Sequence, residues 1–195
     1  MATLTDQIRA QLEESARVKT SFSSELIQRM ASFAEKSAAA LRNGGKIVFF
    51  GNGGSASDAI HLSAELVVRL RATRPGLPSL ALTANPSVLT AAANDFGFEQ
   101  IFSRQIESLV SANDVLVALS TSGNSPNILR GVEAGRTRGA TIVAFTGESG
   151  GALTNKVDLL LNVPSQDPQR IQEAHITAGH IACSLIEQLL FPALT

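Results

Sequence analysis

Five short apolar runs constrain this chain more than any other feature: Ile47-Val48-Phe49-Phe50, Leu80-Ala81-Leu82, Val115–Leu119, Ile142–Phe145 and Leu159–Val163. Each is too short for a helix, rich in branched side chains, and bounded by Gly, Asp, Asn or Pro. Their hydrophobicity is continuous rather than alternating, so both faces of each strand must be covered, as in a parallel sheet between helical layers. Helical spacing fills the gaps, over residues 56–71, 86–93, 98–111 and 126–138, with a short segment near 150–155. The expected fold class is α/β: a three-layer αβα sandwich around a parallel sheet of about five strands, flavodoxin-like in type.

Two amphipathic helices precede the first strand. Leu4, Ile8, Leu12 and Ala16 mark one over residues 4–18, and Phe22, Leu26, Met30, Phe33, Ala38 and Leu41 mark the next, with Gly44-Gly45 as its stop. Asp167-Pro168, an N-cap followed by proline, opens a final helix that runs to about Leu190. No repeat or low-complexity linker interrupts the pattern, so residues 1–195 read as one domain, with 1–43 used in packing or oligomerisation.

Composition narrows the function. Sixteen Lys+Arg against 17 Asp+Glu leave no basic excess for a duplex nucleic acid. No run approaches the ~18 apolar residues a membrane span needs, and the polar Met1–Arg9 segment has no apolar signal core. The cytoplasm is the expected location. A charged fraction of 17% in so small a chain suggests surface buried against other copies. The single cysteine, Cys183, lies in an apolar stretch and reads as a buried structural thiol.

Ligands of open parallel sheets bind beyond the carboxyl ends of the strands. Two of those ends are small and polar and run straight into helices: Gly51-Asn52-Gly53-Gly54-Ser55-Ala56-Ser57-Asp58 and Ser120-Thr121-Ser122-Gly123-Asn124-Ser125-Pro126-Asn127. Glycines admit a ligand close to the backbone, helix N-termini attract anions, and hydroxyls donate to phosphate oxygens. Neither loop has dinucleotide or Walker spacing. With only four lysines in the chain, a phosphate here would be held mainly by backbone and helix dipole. The pair of loops therefore points to a sugar-phosphate or related anion.

Three histidines are available. His61 and Glu65 share a helix face at i, i+4, a spacing that suits metal chelation but is also common on surface helices. His175 and His180 stand about 140° apart on the last helix, so one of them is a bystander; spacing does not say which.

Taken together, Gly51–Ser55, His61…Glu65, Asn94-Asp95-Phe96-Gly97, Ser120–Ser125 and Arg170-Ile171-Gln172-Glu173…His180 resemble the phosphoheptose isomerases, a family of sugar-isomerase (SIS) domains. The resemblance spans essentially the whole chain. It implies conversion of sedoheptulose 7-phosphate to D-glycero-D-manno-heptose 7-phosphate through an enediol, the first step toward nucleotide-activated heptose of the lipopolysaccharide core. It further implies a homotetramer with sites at subunit interfaces and one Zn²⁺ per subunit, held by His61, Glu65, Gln172 and His180. Substrate contacts would come from Asn52, Gly53, Gly54, Ser55, Glu65, Asn94, Asp95, Ser120, Thr121, Ser122, Ser125 and Gln172. Glu65 would act as base and His180 as its acid/base partner, which leaves His175 as the bystander. One departure is Gln169, where some members carry Asp. Two other readings compete: a non-catalytic relative on the same scaffold that binds the bacterial replication initiator, and an isomerase of another sugar phosphate. The first lacks the acid matching Glu65, and enzymes of the second kind usually carry an extra domain.

Overall fold

In the computed structural model, which describes residues 2–194, the five apolar runs become five strands. They are β1 (Ile47–Gly51), β2 (Ser79–Ala81), β3 (Val115–Leu119), β4 (Thr141–Thr146) and β5 (Leu159–Asn162). All pairings are parallel, in the order β2-β1-β3-β4-β5. Seven α-helices accompany them among the described residues: α1 (Leu4–Thr20), α2 (Ser24–Arg42), α3 (Gly54–Val67), α4 (Pro86–Phe96), α5 (Ser103–Leu109), α6 (Pro126–Thr137) and α7 (Pro168–Leu190).

Continuous strand hydrophobicity is explained by two cores. Ile47 and Phe49 of β1 pack with α2, α3 and α7, through Phe33, Leu62 and Ile186 among others. Val48 and Phe50, which point the opposite way, pack with α5 and α6 through Phe102, Ile106 and Ile128. Strand β3 splits its side chains likewise, Val115, Val117 and Leu119 to the first core and Leu116 and Ala118 to the second. Burying each such side chain contributes roughly 1.5–3 kcal/mol. Helix α1 lies outside this sandwich. Its Val18 packs on Val163, Ile171 and Ala174, while Leu4, Ile8 and Leu12 remain exposed along its other face.

Three boundaries differ from those expected. Helix α3 begins at Gly54 rather than 56 and ends at Val67, because Gly53 takes φ 55° and the glycine pair lets the helix start inside the loop. The expected helix over 98–111 is a 3-10 turn, Phe98–Gln100, followed by the short α5. Helix α4 continues to Phe96, which places Asn94 and Asp95 on a helix rather than in a loop.

Candidate active site

The chain crosses from β1 to β2 on one side and reaches β3 on the other, so the strand order reverses between β1 and β3. Such a switch point opens a crevice at the carboxyl ends of the strands. Both polar loops flank it: Gly51–Ser55 follows β1 and leads into α3, and Ser120–Ser125 follows β3 and leads into α6. A reciprocal amide pair ties them together. Asn52 donates to Asn127 Oδ1 at 2.9 Å, Asn127 donates back to Asn52 Oδ1 at 2.8 Å, and Asn127 Oδ1 also accepts from the Ile128 N–H.

The helix starts in this crevice lack side-chain caps. At α1, α2, α4 and α7 the N-cap side chain (Thr3, Ser23, Asn85 or Asp167) accepts from first-turn N–H groups. At α3 and α6, as at the short α5, the N-cap residues (Gly53, Ser125 and Phe102) make no such bond. Uncapped helix starts leave donors and a positive dipole end for an anion. Ser55 and Ser120 are buried beside them, and the Ser120 hydroxyl fixes its loop by accepting from Gly123 N–H at 3.1 Å.

Side chains of metal-ligating type gather at a second station, where α3 meets α7. His61 Nε2 lies 2.8 Å from His180 Nε2 and 3.3 Å from Glu65 Oε1. One donor atom from each of the three residues falls within 4.8 Å of the others. Two imidazoles and a carboxylate, soft enough and close enough to share one ion, suit a zinc site that keeps a position open. The two helices run parallel, since Gln172 lies against Gly54 near their starts and Gly179 lies against Leu62 further along. A Cβ at Gly179 would stand 2.6 Å from Leu62, so the close approach of α7 to α3 needs glycine at this place. That contact is adjacent in sequence to both His61 and His180, and it brings the imidazoles together.

Not every expected residue converges within one chain. The Gln172 amide packs on Gly54 at the first polar loop, seven residues and about 10 Å along α3 from His61. Asn94 and Asp95 are exposed near the end of α4 and hydrogen-bond each other at 2.8 Å. His175 is buried, its Nε2 is 3.1 Å from the Thr146 carbonyl, and burial pushes its imidazole down to about 4 against that hydrogen bond. The two candidates that spacing left open are thus separated: His180 joins the cluster and His175 belongs to the core. Cys183 is also buried, and desolvation pushes its thiol up to about 12, in keeping with a structural role.

Two residues at the ends of the polar loops are given no role by the sequence. Asn127, the last residue of the second polar segment, locks the loops through Asn52. Asp58 lies three residues before His61; burial pushes its carboxyl up to about 6, with the His61 charge opposing, and its Oδ2 has no hydrogen-bond partner. Among the described residues, no helix is long and apolar enough to cross a membrane.

Comparison with known proteins agrees with this arrangement. The family model of the SIS domain matches residues 12–147. The chain is 48% identical to the phosphoheptose isomerase of Thermodesulfovibrio yellowstonii, over 95% of this chain and 92% of that protein. It is 49% identical to that of Geobacter sulfurreducens, over 96% and 99%. A solved phosphoheptose isomerase from Francisella tularensis superposes with a TM-score of 0.91 at 37% identity, covering 96% of this chain and 100% of that one. With a parallel sheet, two polar loops at its switch point and relatives at this level of identity, the chain belongs to the phosphoheptose isomerase family of SIS-domain proteins.

Proposed function

We infer that this chain is an aldose–ketose isomerase that converts sedoheptulose 7-phosphate to D-glycero-D-manno-heptose 7-phosphate, the entry to nucleotide-activated heptose for the lipopolysaccharide core. The observation that carries the reading is the pairing of two stations on one helix: α3 starts in the phosphate loop at Gly54 and presents His61 and Glu65 two to three turns later. A sugar phosphate held at the loop extends its far carbons toward the carboxylate.

Roles follow from placement. Asn52, Gly53, Gly54, Ser55, Ser120, Thr121, Ser122 and Ser125 hold the phosphate and neighbouring hydroxyls through backbone N–H groups and hydroxyl donors. Gln172 serves substrate from its position at Gly54, and enters the metal set only where copies of the chain meet. Asn94 and Asp95, exposed on α4, serve the site from an interface in the same way. Glu65 takes the proton from C1 of the ketose and returns it at C2, while His180 moves the proton between the two oxygens of the enediol. His61, Glu65 and His180 are the residues that would hold Zn²⁺, which when bound stabilises negative charge on the substrate oxygens as a Lewis acid.

We further read the chain as one SIS unit in a cytoplasmic homotetramer. Supporting this, Leu4, Ile8 and Leu12 are exposed on α1, and Ile60, Val67, Val68 and Ile181 are exposed around the triad. The direct test incubates purified protein with sedoheptulose 7-phosphate and follows the aldose by NMR, with and without a chelator. Conversion that the chelator stops and Zn²⁺ restores supports the reading; no conversion under any metal condition overturns it.

A further inference from the structure

We propose that the buried Arg74–Glu187 ion pair is a positioning device that fixes the catalytic ends of α3 and α7 against each other. The inference rests on the reading of His61, Glu65 and His180 as the reacting and metal-holding cluster.

Both side chains are essentially removed from solvent, at 0% and 1% exposure, and Arg74 Nε donates to Glu187 Oε1 at 2.9 Å. Arg74 turns its two terminal nitrogens to the end of α3, one of them also donating to the Pro75 carbonyl at 3.0 Å. One guanidinium nitrogen donates to the Glu65 carbonyl at 2.9 Å, and the other to the Leu66 carbonyl at 2.8 Å. These belong to the last turn of α3, whose carbonyls have no partner within the helix. The Glu65 backbone, and with it the carboxylate, is therefore held by the guanidinium. Glu187 completes the clamp from the other helix. Its carboxylate accepts from the N–H groups of Leu70, Arg71 and Ala72, which follow α3, at 3.0–3.3 Å. It lies seven residues beyond His180 on α7, two turns on and on nearly the same face. The clamp thus joins the backbone of Glu65 directly to the helix face that presents His180.

Stability alone gives little reason for such a pair. Two buried charges lose so much hydration that a well-packed apolar pair of similar volume usually serves the fold as well or better. What an apolar pair does not supply is the fork of Arg74 on two successive carbonyls, which sets the rotation and height of the last turn of α3. Groups that orient metal ligands from behind typically matter by about 10–100-fold in affinity or rate.

The test compares wild type with the double variant Arg74→Met/Glu187→Leu, which leaves no unpaired buried charge, and with Arg74→Lys. Lysine keeps the ion pair but cannot span both carbonyls. Three quantities are measured: thermal midpoint, Co²⁺ dissociation constant from the visible absorption of the bound ion, and kcat and KM for sedoheptulose 7-phosphate. The expected result is a folded double variant with Co²⁺ binding weakened about tenfold or more and kcat reduced about tenfold or more, while KM changes by less than about threefold. Arg74→Lys shows the same pattern at smaller amplitude. A folded double variant with wild-type Co²⁺ affinity and kcat overturns the proposal. Should the double variant fail to fold, Arg74→Lys decides alone: unchanged Co²⁺ affinity and kcat overturn it. If wild type does not isomerise the sugar but its Co²⁺ affinity still drops in the variants, the isomerase reading fails and the positioning role stands.

Discussion

The two stations of the site are built in opposite ways. The phosphate loops inherit their geometry from neighbouring strands: β1 and β3 pair from Ile47–Val115 to Gly51–Leu119, and the Asn52–Asn127 amides close the gap just beyond. No strand supplies a residue to the triad. His61 and Glu65 come from one helix and His180 from another, and their meeting depends on the Gly179–Leu62 contact. One station is set by backbone hydrogen bonds and the other by helix packing. The contrast explains how one scaffold could keep the loops while losing the chemistry, and it says where each kind of substitution should act.

The sharpest break is at the triad itself. His180→Gln should lower kcat by about 10²–10⁴-fold, the usual range for losing an acid/base group, with inorganic phosphate still competing at its wild-type inhibition constant. A parallel loss of phosphate competition would mean that the two stations are not separable. Next in size is Gly179→Ala. A Cβ placed 2.6 Å from Leu62 forces α7 away from α3, and such overpacking typically costs about 1–3 kcal/mol. Thermal unfolding should show that loss, accompanied by weaker Co²⁺ binding; a variant with normal stability and normal metal binding would contradict the packing argument. Asn127→Ala should act on the other station. It removes the partner of Asn52, leaving a polar group unsatisfied at a cost of about 1–3 kcal/mol, and should raise KM and weaken phosphate competition with Co²⁺ binding unchanged.

How much of this was legible follows the same division. Continuous apolar runs marked each strand, and the small polar segments after β1 and β3 marked the loops, because both are local features. His61 and Glu65 were readable as an i, i+4 pair. The choice of His180 over His175 came from the resemblance rather than from spacing, which separates two faces without saying which one is buried; packing against Phe145 and the Thr146 carbonyl accounts for His175 as core. Arg74 and Glu187 gave no signal at all, and Asn127 and Gly179, although inside segments singled out for other reasons, gave none of their roles. Each acts through a partner 75 to 117 residues away, as in Asn52–Asn127 and Leu70–Glu187, and such contacts exist only after folding. Gln172, Asn94 and Asp95 came from resemblance; Gln172 lies against Gly54, and Asn94 and Asp95 are exposed on α4.

The one predicted effect that leaves activity alone concerns the bystander. The His175 imidazole is neutral in the fold, down to about 4, but protonates near its ordinary value of 6.5 once unfolded. The unfolded state therefore binds more protons between those values, and stability falls as pH drops from 6.5 toward about 4, by up to about 3 kcal/mol. In His175→Leu this contribution to the pH dependence of denaturant unfolding should vanish. An unchanged profile would show that His175 titrates normally.

The central claim is that one substrate spans both stations, held at the loops and reacting at the triad. Glu65→Gln tests it most directly, because it removes the base while leaving the loops untouched. Calorimetric titration with sedoheptulose 7-phosphate and NMR of the same sample should show binding within a few-fold of wild type and no aldose formed. Continued conversion by the glutamine variant, or loss of sugar-phosphate binding from a correctly folded one, would contradict the account.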